Sequence, residues 1–304
     1  MRRNALVGIA VSGCLVVGVG LLGWARTRGF LSPHGQARRW LTLAQQALQR
    51  GDLPLAQAKL EGLIEAFPDE SLTDEAVLTL GQVYEQQQQP IQARATYRML
   101  LERFPNSSLL GQAQAKLGQV NLALLFSTTV TELDTTYKVK PGDTLGEIAA
   151  AHHTTVELLK RANQLQGDVI YPQQTLKVPK GPFGIVVDKS QNQLLLTAQD
   201  QFLKSYPVAT GEHNSTPVGT FKIVNKVPNP IWYRQGAVVP SESPENVLGS
   251  RWMGLDKPGY GIHGSTDDSV VGQQITAGCV RMTNADVEEL FAIVPAGIEV
   301  TIVD

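Results

Sequence analysis

The chain has 304 residues, about two domains' worth. Its composition, 42% hydrophobic, 18% charged and 6% aromatic, suits folded globular domains and excludes wholesale disorder and a polytopic membrane protein. A net charge of −2 gives no basic footprint for nucleic acid, and two cysteines exclude a disulfide scaffold and a cysteine-rich metal site.

Charge is unevenly placed. Residues 1–29 carry four Arg and no acid, whereas residues 183–304 carry eight basic and thirteen acidic side chains, which predicts a modular chain. Residues 5–25 form an uncharged stretch of 21 residues between Arg2-Arg3 and the pair Arg26 and Arg28. At about 1.5 Å per residue it just matches a hydrocarbon core of about 30 Å. Trp24 stands where an interfacial aromatic would stand. The segment 1–29 therefore predicts a retained signal-anchor, a transmembrane helix. Two readings compete with it: a cleaved secretory signal, and a lipoprotein signal ending at Cys14, although the apolar run continues past that cysteine.

Residues 37–126 repeat with a period of 37: Phe67-Pro68 matches Phe104-Pro105, and Leu80-Gly81-Gln82-Val83 matches Leu117-Gly118-Gln119-Val120. Ala56, Leu60, Leu63, Ile64 and Phe67 recur as Ala93, Tyr97, Leu100, Leu101 and Phe104, one face of a helix. The pattern predicts two helix pairs and a closing helix at 108–126, and it resembles tetratricopeptide-type repeats. Such an array is either a groove for a protein partner or a spacer.

Residues 137–180 predict a small β-α-α-β module. Tyr137 to Lys140 and Thr175 to Pro179 read as strands. Thr144-x-x-Glu147 and Thr154-x-x-Glu157 read as capping boxes opening two short helices. The run Tyr137-x-Val139-Lys140-Pro141-Gly142-Asp143-Thr144-Leu145, then Leu158-Leu159 with Asn163, then Ile170-Tyr171-Pro172, resembles the LysM family. That resemblance implies binding to the N-acetylglucosamine-containing glycan of peptidoglycan. Gly146 stands where many members carry an aromatic residue, a loss of packing surface.

Residues 183–304 predict a mainly-β domain with one clear helix at 284–294, for which Asn284 is the candidate N-cap. Cys279 is the sole cysteine beyond the apolar N-terminal stretch. A lone cysteine is ordinarily a small buried hydrophobe. Here Gly278 precedes it, Arg281 adds a positive charge that favours a thiolate, and His263 lies 16 residues upstream in a second glycine-flanked turn. Cysteine with histidine is the thiol form of a nucleophile–base pair.

His263-Gly264-Ser265 followed by Thr276-Ala277-Gly278-Cys279-Val280-Arg281 resembles the catalytic motif of YkuD-type L,D-transpeptidases. Thr216-Pro217-Val218-Gly219-Thr220-Phe221 and Tyr260-Gly261-Ile262 extend the likeness; Thr276 and Ala277 depart from the usual Ser and His. The resemblance implies that Cys279 attacks the third residue of a tetrapeptide stem, that D-Ala leaves, and that the thioester passes to an amine acceptor to cross-link the wall. It implies that His263 is the base and that the Gly264 carbonyl orients it. Backbone N–H groups near Ala277, Gly278 and Cys279 are then the oxyanion donors, with Thr276 in the same substrate-binding set, and Arg281 positions the stem or holds the loop, or else makes a structural salt bridge.

Hydrolysis of the same acyl-enzyme, an L,D-carboxypeptidase, and a non-catalytic wall-binding adaptor are the alternatives. Trp232, Tyr233 and Trp252 read as core, with a cleft wall as the alternative. No phosphate loop or metal motif is present in the sequence, so no cofactor is expected. The expected setting is the bacterial cell envelope, anchored in the inner membrane through residues 5–25 with the bulk facing periplasm or wall.

Overall fold

A computed structural model describes residues 32–234 and 236–304. Five helices come first: α1 (Pro33–Gln49), α2 (Leu53–Ala66), α3 (Thr73–Gln86), α4 (Pro90–Arg103) and α5 (Leu110–Leu125). Each packs on the next. The repeating positions are the buried ones, with Ala56, Leu60 and Leu63 in α2 and Ala93, Tyr97 and Leu100 in α4 fully enclosed. Gly81 lets the Tyr97 ring lie directly on the α3 backbone, because a Cβ there would collide with the ring.

The next module pairs β1 (Asp134–Lys138) with β2 (Thr175–Pro179) antiparallel, placing Tyr137 opposite Leu176. Between them run α6 (Leu145–Ala151) and α7 (Val156–Ala162). The Thr144–Glu147 capping box is complete. The second expected box is not formed: Thr155, not Thr154, caps α7, its hydroxyl accepting from the Leu158 N–H. A Cβ on Gly146 would meet nothing nearer than Thr144 Oγ1 at 3.9 Å, so the missing aromatic leaves no hole in the core.

The remaining elements are β3 (Phe183–Asp188), β4 (Gln193–Ala198), β5 (Gln201–Pro207), β6 (Thr210–Gly211), β7 (Gly219–Pro228), β8 (Trp232–Arg234), β9 (Ala237–Val239), β10 (Arg251–Leu255), β11 (Gly261–His263), β12 (Gln274–Thr276), β13 (Val280–Arg281), α8 (Asn284–Ile293) and β14 (Glu299–Val303). Eight form one mixed sheet in the order β13-β11-β10-β7-β14-β3-β4-β5. Alternation along β3 and β4 turns Ile185, Val187, Leu194 and Leu196 inward, and Val287, Leu290 and Ile293 of α8 join the same core. The helix begins one residue earlier than an Asn284 cap requires: Thr283 is the N-cap, its hydroxyl accepting from the Asp286 N–H.

The three units each have their own core and meet at that of the C-terminal sheet. Leu122 and Leu125 of α5 and Leu158 of α7 belong to the cluster that fills the C-terminal sheet. Asn121 donates to the Phe202 and Leu203 carbonyls, both at 3.0 Å, and so closes the outer edge of β5. Lys177 is buried and donates to the Leu124 and Ser127 carbonyls at 2.7 and 2.8 Å, with Asp134 at 3.6 Å. The Thr155 hydroxyl also bonds the Ala292 carbonyl of α8. The last repeat helix is thus part of the body that carries the sheet, not a free spacer.

The expected transmembrane helix and inner-membrane location are corrected. Among the described residues no helix is long and apolar enough to cross a membrane. The longest, α1, has 17 residues, and one face of it packs against α2 while the other carries Arg38 and Arg39. Residues 5–25, on which the expectation rested, lie outside the described residues.

Candidate active site

His263 ends β11, in the sheet between β10 and β13. Antiparallel register puts Trp252 beside it, and the indole stacks on the imidazole with centroids 5.7 Å apart. The ring is 2% exposed. Its Nδ1 lies 2.7 Å from the Gly264 carbonyl oxygen. A carbonyl accepts only, so Nδ1 carries the proton and Nε2 is left as an acceptor. Burial, reinforced by the Arg281 charge, pulls the imidazole down to about 4, against the opposing pull of the Gly264 and Leu248 carbonyls.

Cys279 sits in the turn between β12 and β13. Thr276 builds that turn: its hydroxyl donates to the Cys279 carbonyl at 2.7 Å and accepts from the Gly278 N–H at 3.2 Å. Gly278 has φ +129°, and a Cβ there would strike Tyr260, so glycine is required on both counts. The half-buried thiol points toward the Gly259 carbonyl at 3.6 Å. Burial pushes it above its ordinary value, while backbone hydrogen bonding and Arg281 pull the other way. The Ala277 and Cys279 N–H groups make no hydrogen bond within the described residues, whereas that of Gly278 is occupied by Thr276.

His263 and Cys279 face one cleft of about 710 Å³. Its floor is Thr276, Ala277, Cys279 and Arg281; its apolar wall includes Val227, Ile231, Trp232, Tyr233 and Trp252. These aromatic residues line the cleft instead of filling the core, and Tyr233 is 72% exposed. No Asp or Glu lines it. The Arg281 guanidinium makes no ion pair among the described residues, and its buried Nε has no partner, so the salt-bridge alternative is not realised. The seven sequence-predicted residues thus converge, with Gly264 behind His263 and Gly278 under the nucleophile turn. Sequence reading missed Trp252 as the partner of His263; the cross-strand pairing that joins them is set by register, which spacing does not reveal. Among the described residues no group of His, Cys, Asp and Glu has the arrangement of a metal site.

A mixed sheet thus delivers a histidine and a cysteine preceded by glycine to one cleft, the arrangement of a thiol acyltransferase. Family models match the L,D-transpeptidase catalytic domain at residues 182–302, the LysM domain at 137–179 and a tetratricopeptide repeat at 75–107. A protein named as a putative L,D-transpeptidase YkuD from Bacillus licheniformis is 38% identical over 174 residues, 55% of this chain and 97% of that one. The corresponding putative L,D-transpeptidase YqjB of Bacillus subtilis is 36% identical over 141 residues, covering 44% and 78%. Among solved structures, L,D-transpeptidase 3 from Mycobacterium tuberculosis aligns with a TM-score of 0.36 at 17% identity, covering 43% of this chain and 66% of that one.

The chain belongs to the YkuD-type L,D-transpeptidase family, and it carries a LysM domain and a tetratricopeptide-like repeat ahead of the catalytic domain.

Proposed function

We propose that this protein is a peptidoglycan L,D-transpeptidase that works through a thioester on Cys279. The observation that carries the reading is the tautomer fixed at His263: with Nδ1–H held by Gly264, Nε2 is an acceptor in the cleft that holds the thiol. The pair rests as neutral thiol and neutral imidazole, since burial disfavours both charges.

The Cys279 proton moves to His263 Nε2 as the sulfur attacks the carbonyl of the third stem residue. The oxyanion is met by the free Ala277 and Cys279 N–H groups, each such donor worth about 3 kcal/mol. The tetrahedral adduct collapses, the C–N bond breaks, and the departing D-Ala amine takes the proton from His263. An incoming amine then attacks the thioester, His263 accepts its proton, and the thiol is restored by return of that proton. Arg281 is the sole ionic group of the cleft lining apart from the reacting pair and receives a carboxylate of the stem. The LysM module retains the glycan beside the cleft, raising local substrate concentration without a new contact at the thiol.

The test is incubation of the full-length protein and its Cys279→Ala variant with disaccharide tetrapeptides, with products read by mass spectrometry. Cross-linked dimers from wild type alone are expected. Tripeptides without dimers would replace the reading with an L,D-carboxypeptidase. No Cys279-dependent product would leave wall binding as the function.

A further inference from the structure

The carbonyl that meets the His263 imidazole belongs to a segment that has to be held in place. Gly264 follows β11 directly, and its carbonyl receives the Nδ1 proton at 2.7 Å. Leu248 lines the same cleft as the ring. Leu248 lies in the turn 246–250, which enters β10. Asn246 holds one side of that turn: it is buried, donates to the Pro230 carbonyl at 2.9 Å, and accepts from the Leu248 N–H at 3.0 Å.

The other side is held from α8. Asn284 Oδ1 accepts from the Ser250 N–H at 2.8 Å. The same oxygen sits against both Gly249 and Gly264, where a Cβ on either would collide with it. Gly249 has φ +63°, so that turn excludes a side chain sterically and conformationally. The helix is itself fixed at both ends. Thr283 caps its start, and Lys226 donates to the Phe291 and Val294 carbonyls at 2.6 and 2.7 Å at its finish.

We propose that Asn284 is a positioning residue for the general base, locking the Leu248 turn to the Gly264 strand end so that the Gly264 carbonyl is held against the His263 ring. It does not line the cleft and touches no reacting atom; it acts through Ser250 and Gly264. Its Nδ2 makes no hydrogen bond among the described residues, so the oxygen alone does the positioning. The proposal rests on the Cys279–His263 reading above.

That chemistry names the conservative variant. Asn284→Asp keeps the acceptor oxygen and places a negative charge at a helix N-terminus, where it is tolerated. Asn284→Ala removes the acceptor. The full-length wild type, both Asn284 variants and His263→Ala are compared by kcat and KM on a disaccharide tetrapeptide, by the pH profile of Cys279 alkylation with iodoacetamide, and by thermal melting. Asn284→Ala is expected to lower kcat about 10- to 100-fold, the effect of a misplaced catalytic group, with KM changed less than about 2-fold. Asn284→Asp is expected to stay within about 3-fold at neutral pH and to move the acid limb to higher pH, because its charge favours the imidazolium.

Equal losses in both variants, a kcat for Asn284→Ala within about 2-fold of wild type, or a loss fully matched by the melted fraction would overturn the proposal. If His263→Ala turns over like wild type, the underlying Cys–His reading fails instead. If His263→Ala loses activity and Asn284→Ala does not, the positioning proposal fails alone.

Discussion

His263 carries a pH signature that belongs to the folded state. The ordinary imidazole value is 6.5 and the folded one is about 4, so between these values the unfolded chain takes up a proton that the folded chain refuses. The stability contributed by this residue is complete above 6.5 and is lost as pH falls toward 4. His263→Gln is expected to flatten the acid limb of urea-unfolding stability across that window; an unchanged slope would place the acid sensitivity elsewhere. Arg281 adds to the lowered value and stands unpaired in the cleft. Arg281→Met is expected to let the imidazole rise and to lower kcat/KM for a carboxylate-ended donor about 10- to 100-fold, from a charge-assisted bond worth about 1.5–3 kcal/mol. A donor whose terminal carboxylate is amidated should show no further loss in steady-state kinetics.

The elements were readable where periodicity and capping act locally. The α2 and α4 faces, the Thr144 box and the alternation of β3 follow from the residues themselves. Asn284 was misread because an Asn before an apolar run is a good N-cap in isolation; Thr283 wins because the Asn side chain is drawn to Ser250, a partner 34 residues away. Lys177 was equally hidden. In a β-strand of the LysM module it reads as a surface cation, yet its ammonium closes the C-terminus of α5. Lys177→Met leaves those carbonyls and Asp134 buried without their donor, and is expected to destabilise the chain by about 3–5 kcal/mol. Denaturant titration, with Lys177→Met/Asp134→Asn as the less damaging double variant, measures it.

At the scale of the molecule the repeats and the catalytic sheet behave as one unit through α5. The sequence did not reveal the docking because its key residue, Asn121, is polar on a helix and reads as solvent-facing, whereas it is 5% exposed and serves β5. Removing residues 32–126 strips the cover from an edge strand. Such a chain is expected to melt at lower temperature and to self-associate in sedimentation velocity runs, whereas Asn121→Leu should show the milder form of both effects. Equal melting temperature and a clean monomer would show that the sheet stands without its helical cover.

The position of β14 in the sheet bears on when the enzyme comes to life. Residues 299–303 fill the slot between β7 and β3, pairing parallel with β3 and antiparallel with β7. A growing chain has therefore already made Cys279, His263 and both flanking strands before the strand that joins them exists. Until Val303 is available, β3 and β7 have no common partner. Assembly depends on the most distant pairing in the domain, which is slow to form. The two halves of the sheet, β13-β11-β10-β7 on one side and β3-β4-β5 on the other, are therefore joined only once the last residues of the domain have been made.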